Sequence, residues 1–165
     1  MDLAIAERTK MKVYLAGYIH GRSIEKCTAW RKGLRDHYNA KRFPIDWLDP
    51  LNSGEIGHLD EQGLKSNMPH NMIVHKDYMS VQNADLIIAY LTTFGETRPM
   101  MGTFAELAWA WQLHKPTIVV SNETNYIEHP FIKVFASVIT PTMESLLENK
   151  YIDKFYNAIV SAEYE

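Results

Sequence analysis

Two carboxylates sit where chemistry is possible. Glu106 lies in the run Gly102-Thr103-Phe104-Ala105-Glu106-Leu107-Ala108-Trp109-Ala110-Trp111, between the apolar runs Asp85–Leu91 and Thr117–Val120. That order reads as strand, loop, helix and second parallel strand, with Glu106 in the first helical turn. Open parallel sheets bind ligands beyond the carboxyl ends of their strands, where this turn falls. Asp77 precedes Asp85 by eight positions, on the helix leading into the same strand. Two carboxylates converging on one pocket can cleave a glycosidic bond: one attacks the anomeric carbon, the other assists the leaving group.

Each residue also has a purely structural reading. Thr103-x-x-Glu106 is a capping box, with Thr103 as cap and the glutamate returning to its backbone N–H. Asp77 on a helix is by default a solvated carboxylate. Asp85, at a strand start, suits backbone donors better than chemistry. His70, His75 and Asp77 form no recognised metal-ligand spacing, and no G-x-S-x-G elbow is present. Trp30, Trp47, Trp109 and Trp111 read mostly as core, with Trp47, near a strand end, the one placed to stack on a base.

The elements that must hold these groups follow in order. Residues 1–10 form a polar lead-in. Lys12–Ala16 is a buried first strand stopped by Gly17, and Tyr18-Ile19-His20-Gly21-Arg22 is a glycine loop. Ser23 caps a helix to about Asn39 whose apolar face carries Ile24, Cys27, Trp30, Leu34 and Tyr38. The glycine spacing fits neither a Walker loop nor a dinucleotide fingerprint. Arg42–Leu48 is a second strand, at an edge because of Pro44. Asp49–Pro69 reads as a long loop, either a lid or disordered. A helix runs from Pro69 to about Gln82, with His75 and Met79 on one side. Thr92–Met101 is a loop holding Gly95, Glu96 and Arg98, and Ser121–His129 is turn-like. Ala136–Ile139 is a short fifth strand, and one terminal helix starts at Thr142 or Ser145 and runs to about Ser161. Alternating strands and helices predict a single α/β sandwich around a mostly parallel sheet, one domain over 1–165.

Composition narrows the function. A hydrophobic fraction of 46% over 165 residues suits a folded domain with a substantial core. The net charge of -3 argues against a nucleic-acid-polymer surface but leaves single nucleosides and nucleotides open. Cys27 is the one cysteine, so neither an intrachain disulfide nor a cysteine metal cluster forms. With no signal-like or membrane-length apolar run, a cytoplasmic location is expected.

Val13-Tyr14-Leu15-Ala16-Gly17, Asp77, Asn83-Ala84-Asp85-Leu86-Ile87-Ile88-Ala89, Gly102-Thr103-Phe104-Ala105-Glu106-Leu107-Ala108 and Lys115-Pro116 together resemble the nucleoside 2-deoxyribosyltransferase family, over about residues 11–120. The resemblance implies a flavodoxin-like three-layer sandwich of about five strands and a homo-oligomer with active sites near subunit interfaces. It implies no metal or organic cofactor. By the same resemblance Glu106 is the nucleophile of a covalent deoxyribosyl intermediate, Tyr14 orients it, and Asp77 handles the proton of the departing base. Gly17, Tyr18, Trp47, Gly102, Arg98 and Asn122 are the expected substrate-binding set.

One position departs from the family pattern. Two residues before Gly102, where an aspartate or serine commonly holds the 5′ end of the substrate, this chain has Met100. Glu96, Arg98, His20 or Arg22 are the available substitutes, and a basic choice would favour a 5′-phosphate. Asn122 and Asn125 fall where a neighbouring subunit's asparagine often enters family sites. Three readings follow: a deoxyribosyltransferase passing the sugar to a second nucleobase, a nucleoside 5′-monophosphate N-glycosidase using water, and a nucleotide-binding domain without turnover. Partners are a small nucleoside or nucleotide and a free nucleobase.

Overall fold

Short apolar runs that are hydrophobic at every position, with no polar alternation, belong to strands covered on both faces. The chain builds such a sheet. The computed structural model describes residues 10–19, 23–52, 56–60, 63–66, 68–93, 95 and 100–162, so the lead-in lies almost wholly outside it. The main sheet contains β1 (Met11–Gly17), β2 (Ile45–Leu48), β5 (Leu86–Tyr90), β6 (Thr117–Val120) and β7 (Val138–Thr140). Its spatial order is β2-β1-β5-β6-β7, and every pair is parallel. Counting only these strands, the order is the flavodoxin-like one, with its switch point between β1 and β5. The edge position expected for β2 is observed.

Alternate side chains of each strand feed two cores. Val13, Leu15, Leu86, Ile88, Ile118 and Val120 pack on one face with Leu34 and Tyr38 of α1 (Ile24–Ala40), Leu146 of α6 (Met143–Glu148) and Ile152 of α7 (Tyr151–Ala162). Tyr14, Ala16, Ile87, Ala89 and Val119 pack on the other. There they meet Val81 of α2 (His70–Asn83), Leu107 and Ala110 of α3 (Met101–Gln112), and Ile132 of α5 (Pro130–Phe135). This is the expected sandwich, and Glu106 and Asp77 ride on its second helical layer. Among the described residues, no helix is long and apolar enough to cross a membrane.

Local polar groups fix the frame as their types suggest. Asp85 Oδ2 accepts from Lys12 N at 2.7 Å, and Lys12 O takes Asp85 N at 2.8 Å, so this carboxylate stitches β1 to β5. Ser23 caps α1, its hydroxyl accepting from Lys26 N at 3.3 Å. Gly17 is required by packing: a Cβ there would stand 2.8 Å from Trp30 Cζ2. Trp30 cannot easily yield, held edge-on to Tyr90 at 5.4 Å between ring centroids and under the Arg31 guanidinium. Gly17→Ala should therefore lower unfolding free energy by about 1–3 kcal/mol in a denaturant titration.

Several boundaries differ from the sequence reading. Helix α3 starts at Met101, with Met100 as its cap residue and no side-chain capping bond. Thr103 is thus inside the helix and Glu106 in its second turn, so the expected capping box does not form. The terminal helix is two helices, broken where Asn149 caps α6 and Lys150 takes a left-handed φ of 52°. The segment read as one long loop contains a 3-10 turn (Pro50–Asn52) and an antiparallel hairpin, β3 (Ile56–Asp60) with β4 (Gly63–Ser66), apart from the main sheet. The turn-like stretch holds α4 (Thr124–Ile127), followed by α5, which the sequence reading left unassigned.

Candidate active site

Strand β1 aims Tyr14 at the α2–α3 layer, and its fully buried hydroxyl donates to Glu106 Oε1 at 2.8 Å. That one bond joins residues 92 positions apart at the β1/β5 switch point, where parallel sheets place ligands. Glu106 is 8% exposed. Asp77 projects from α2, which packs on α3 through the edge contact of Tyr78 with Trp109 at 5.4 Å. Lys76 Nζ stands 3.3 Å from Asp77 Oδ1.

The electrostatics follow from that placement. Burial and then the Asp77 charge push the Glu106 carboxyl up to about 8, against smaller lowering effects from the Tyr14 hydrogen bond, Arg31 and Lys76. Burial, then the charges of Glu106 and Asp77, holds the Tyr14 phenol well above its usual range, so it stays a donor. At neutral pH the unliganded carboxylate pair therefore retains a proton. A buried carboxyl able to ionise beside a second acid group has the chemistry of a nucleophile with a proton donor.

The chain is similar to several known proteins. The family model described as nucleoside 2-deoxyribosyltransferase matches residues 13–155. The chain belongs to that family. No curated protein sequence matches it. Among solved structures, BlsM is similar at 15% identity over 94% of this chain and 95% of its own, with a TM-score of 0.60. The Clostridium botulinum CMP N-glycosidase BcmB is similar at 20% identity over 86% of this chain and 98% of its own, TM-score 0.54. A 2-desoxiribosyltransferase from Leishmania mexicana is 22% identical over 68% of this chain, at a TM-score of 0.49. This chain covers about 65% of that protein's length.

The remaining expected site residues divide. Tyr18 lies on the Glu106 side of the sheet and is buried in the same core. Gly102 is exposed at the start of α3, and among the described residues nothing beyond its own helix turn and chain neighbours lies within 4 Å of where a Cβ would be. Asn122 is exposed beyond β6. Trp47 goes elsewhere: it packs with Tyr38 at 6.0 Å on the α1–α7 face, across the sheet from Glu106. Alternation along β2 requires this, because Ile45, two residues earlier, faces that same core. The expected base stacking by Trp47 is not supported. Arg98, Glu96, His20 and Arg22 lie outside the described residues. Met100 is 2% exposed in the core with Tyr14 and Leu107, so its side chain offers a substrate no polar group.

Two features escaped the sequence reading. Glu123 accepts from Thr93 N at 2.7 Å, tying the loop after β5 to the residues after β6. Arg31 is wholly buried beneath the end of β1. Its place on the stripe of Cys27, Leu34 and Tyr38 was the available signal, since a charge there must be buried. Among the described residues, no three His, Cys, Asp or Glu side chains gather into a metal site.

Proposed function

We propose that the chain cleaves the N-glycosidic bond of 2′-deoxynucleosides and passes the sugar to a second nucleobase. The observation that carries this reading is the buried Tyr14–Glu106 hydrogen bond of 2.8 Å, with the Asp77 charge bearing on the same carboxyl. The Glu106 carboxylate forms a bond to C1′ as the C1′–N bond breaks. The released electron pair stays on the base nitrogen, which takes a proton from Asp77. An incoming base nitrogen then attacks C1′, Glu106 leaves as carboxylate, and the incoming base returns its proton to Asp77. The two displacements retain configuration at C1′. Tyr14 orients Glu106 and stabilises its ionised form.

A second reading keeps these roles and makes water the acceptor, with a 5′-monophosphate as substrate. The similarity to BcmB, a CMP N-glycosidase, supports it. Met100, apolar and buried, supplies neither the acidic nor the hydroxyl contact to the 5′ end and so favours neither reading. A product assay separates the two: deoxynucleosides and their monophosphates are incubated with and without a second base. A new nucleoside formed only with the second base supports the transferase. Free base released from monophosphates regardless of acceptor supports the hydrolase. No product from any combination removes both.

The same reading includes a homo-oligomer with sites near its interfaces. Met72 and Met79 of α2, Met101 and Trp111 of α3, and Phe131 and Val134 of α5 are all at least half exposed on the layer that bears Glu106 and Asp77. Exposed apolar side chains gathered on one layer suit contact with a second copy. Sedimentation should give a multiple of the 19.1 kDa chain mass, reduced by the double substitution Trp111→Glu with Phe131→Glu. A monomer at micromolar concentration would refute this.

A further inference from the structure

Among the described residues, Arg31 is the largest side chain wholly withdrawn from solvent, and no step above uses it. Its Nη2 donates to Gly17 O at 3.3 Å and reaches Leu15 O at 3.5 Å, while Nη1 donates to Cys27 O. On the other side, Nε stands 3.4 Å from Asp49 Oδ1, whose side chain is 1% exposed. Asp49 also accepts from Leu51 N at 2.9 Å and pairs with Arg35. One guanidinium thus ties the end of β1, the strand that carries Tyr14, to the first residue beyond β2.

Stability alone is a poor reason for this arrangement. Apolar side chains of similar volume commonly equal or better a buried ion pair. They cannot, however, satisfy two strand-end carbonyls or supply a fixed charge. A flat fork of donors can do both, which an ammonium cannot match geometrically.

We propose that Arg31 is a positioning residue for the Glu106 centre: clamped by Asp49, it holds the end of β1 and sets a fixed positive charge near the Tyr14–Glu106 pair. The inference rests on the reading of Glu106 as the centre of the site. The charged and titratable groups bearing on Glu106 are Tyr14 from β1, Asp77 and Lys76 from α2, and Arg31 from α1. Arg31 favours the carboxylate, as its position requires. Asp49 offsets Arg31, so removing one or the other charge has opposite consequences at Glu106.

Carbon NMR of the glutamate side-chain carboxyls in the full chain tests this without turnover, with Glu106→Gln assigning the signal. Arg31→Gln should move the Glu106 midpoint upward by about half a pH unit, and Asp49→Asn should move it downward. Arg31→Lys, which keeps the charge and loses the fork, should lower the melting temperature and leave the midpoint near the parent's. An unmoved midpoint in Arg31→Gln, or shifts of the same sign in Arg31→Gln and Asp49→Asn, overturns the proposal and reduces Arg31 to packing. Where Arg31→Gln fails to fold, the Asp49→Asn titration decides by the same criterion. An inert parent that shows these shifts removes the proposed activity and leaves the coupling standing. An active parent without them removes the coupling alone.

Discussion

Glu106→Gln should abolish product formation, by about a thousandfold or more, and yet make the protein harder to melt at pH 8. The amide oxygen can still accept the Tyr14 hydroxyl now bonded at 2.8 Å, so the fold loses little. What changes is a titration. Burial and Asp77 raise the native carboxyl from 4.5 to about 8, so between those values the native state holds a proton that the unfolded chain has released. The unfolded state then binds fewer protons, and stability falls as pH rises through that window, levelling off above it. Glutamine removes this penalty. The gain should be small at pH 5 and reach a few kcal/mol at pH 8, about 5 °C or more in melting temperature. Calorimetry of both proteins at the two pH values measures it. A melting-temperature difference equal at pH 5 and pH 8 would mean that the carboxylate is not buried at a cost, and retained turnover would remove Glu106 as nucleophile.

That cost explains why the site was only partly visible in the sequence. Helix α3 offered a structural use for Glu106 as a capping partner of Thr103. The decisive fact, that the carboxylate meets Tyr14 from a strand 92 positions away, depends on the pairing of β1 with β5 and the packing of α3 over both. Strand runs such as Thr117–Val120 are legible because burial on both faces demands unbroken apolar sequence. Asp85 is legible because a carboxylate beginning a strand has few other uses, and it does bond Lys12 N.

The misread features share one cause: contacts distant in sequence set them, and the local markers were absent or faint. Helices α1, α3 and α6 are followed, one residue past their caps, by Arg42, His114 and Lys150 at φ values of 53°, 55° and 52°, positions usually marked by glycine. At α1 the Phe43 N bond to Tyr38 O closes the turn, so an ordinary residue tolerates the left-handed backbone. The break between α6 and α7 therefore carried no glycine to announce it. Trp47 was misplaced because proximity to a strand end says nothing of which face is presented. Strand parity does, and Ile45 in the α1–α7 core fixes it. Arg31 hid within an apolar stripe because its carbonyl and Asp49 partners come from β1 and from beyond β2, distant in sequence.

Asp77→Asn should change the shape of the pH profile as well as its height. The Glu106–Asp77 pair is read as sharing one proton at neutral pH: with Glu106 ionised and Asp77 protonated it can attack and protonate the leaving base together. In the parent, kcat/KM should decline above about 8, where the pair loses that last proton. Without Asp77 there is no acid to lose, so the alkaline decline should vanish. Only Glu106 ionisation then matters, and because the Asp77 charge no longer raises it, activity should increase with pH to a plateau whose midpoint lies below the parent's. Height should drop by about a hundredfold to ten-thousandfold for bases that leave only when protonated. An N7-methylated purine deoxynucleoside, whose base departs neutral without a proton, should lose far less. The comparison rests on relative rates of one variant on two substrates, so a modest loss of folded protein cancels. An alkaline decline that survives in Asp77→Asn would assign the proton to another group, and equal losses on both substrates would mean that Asp77 binds the base without protonating it.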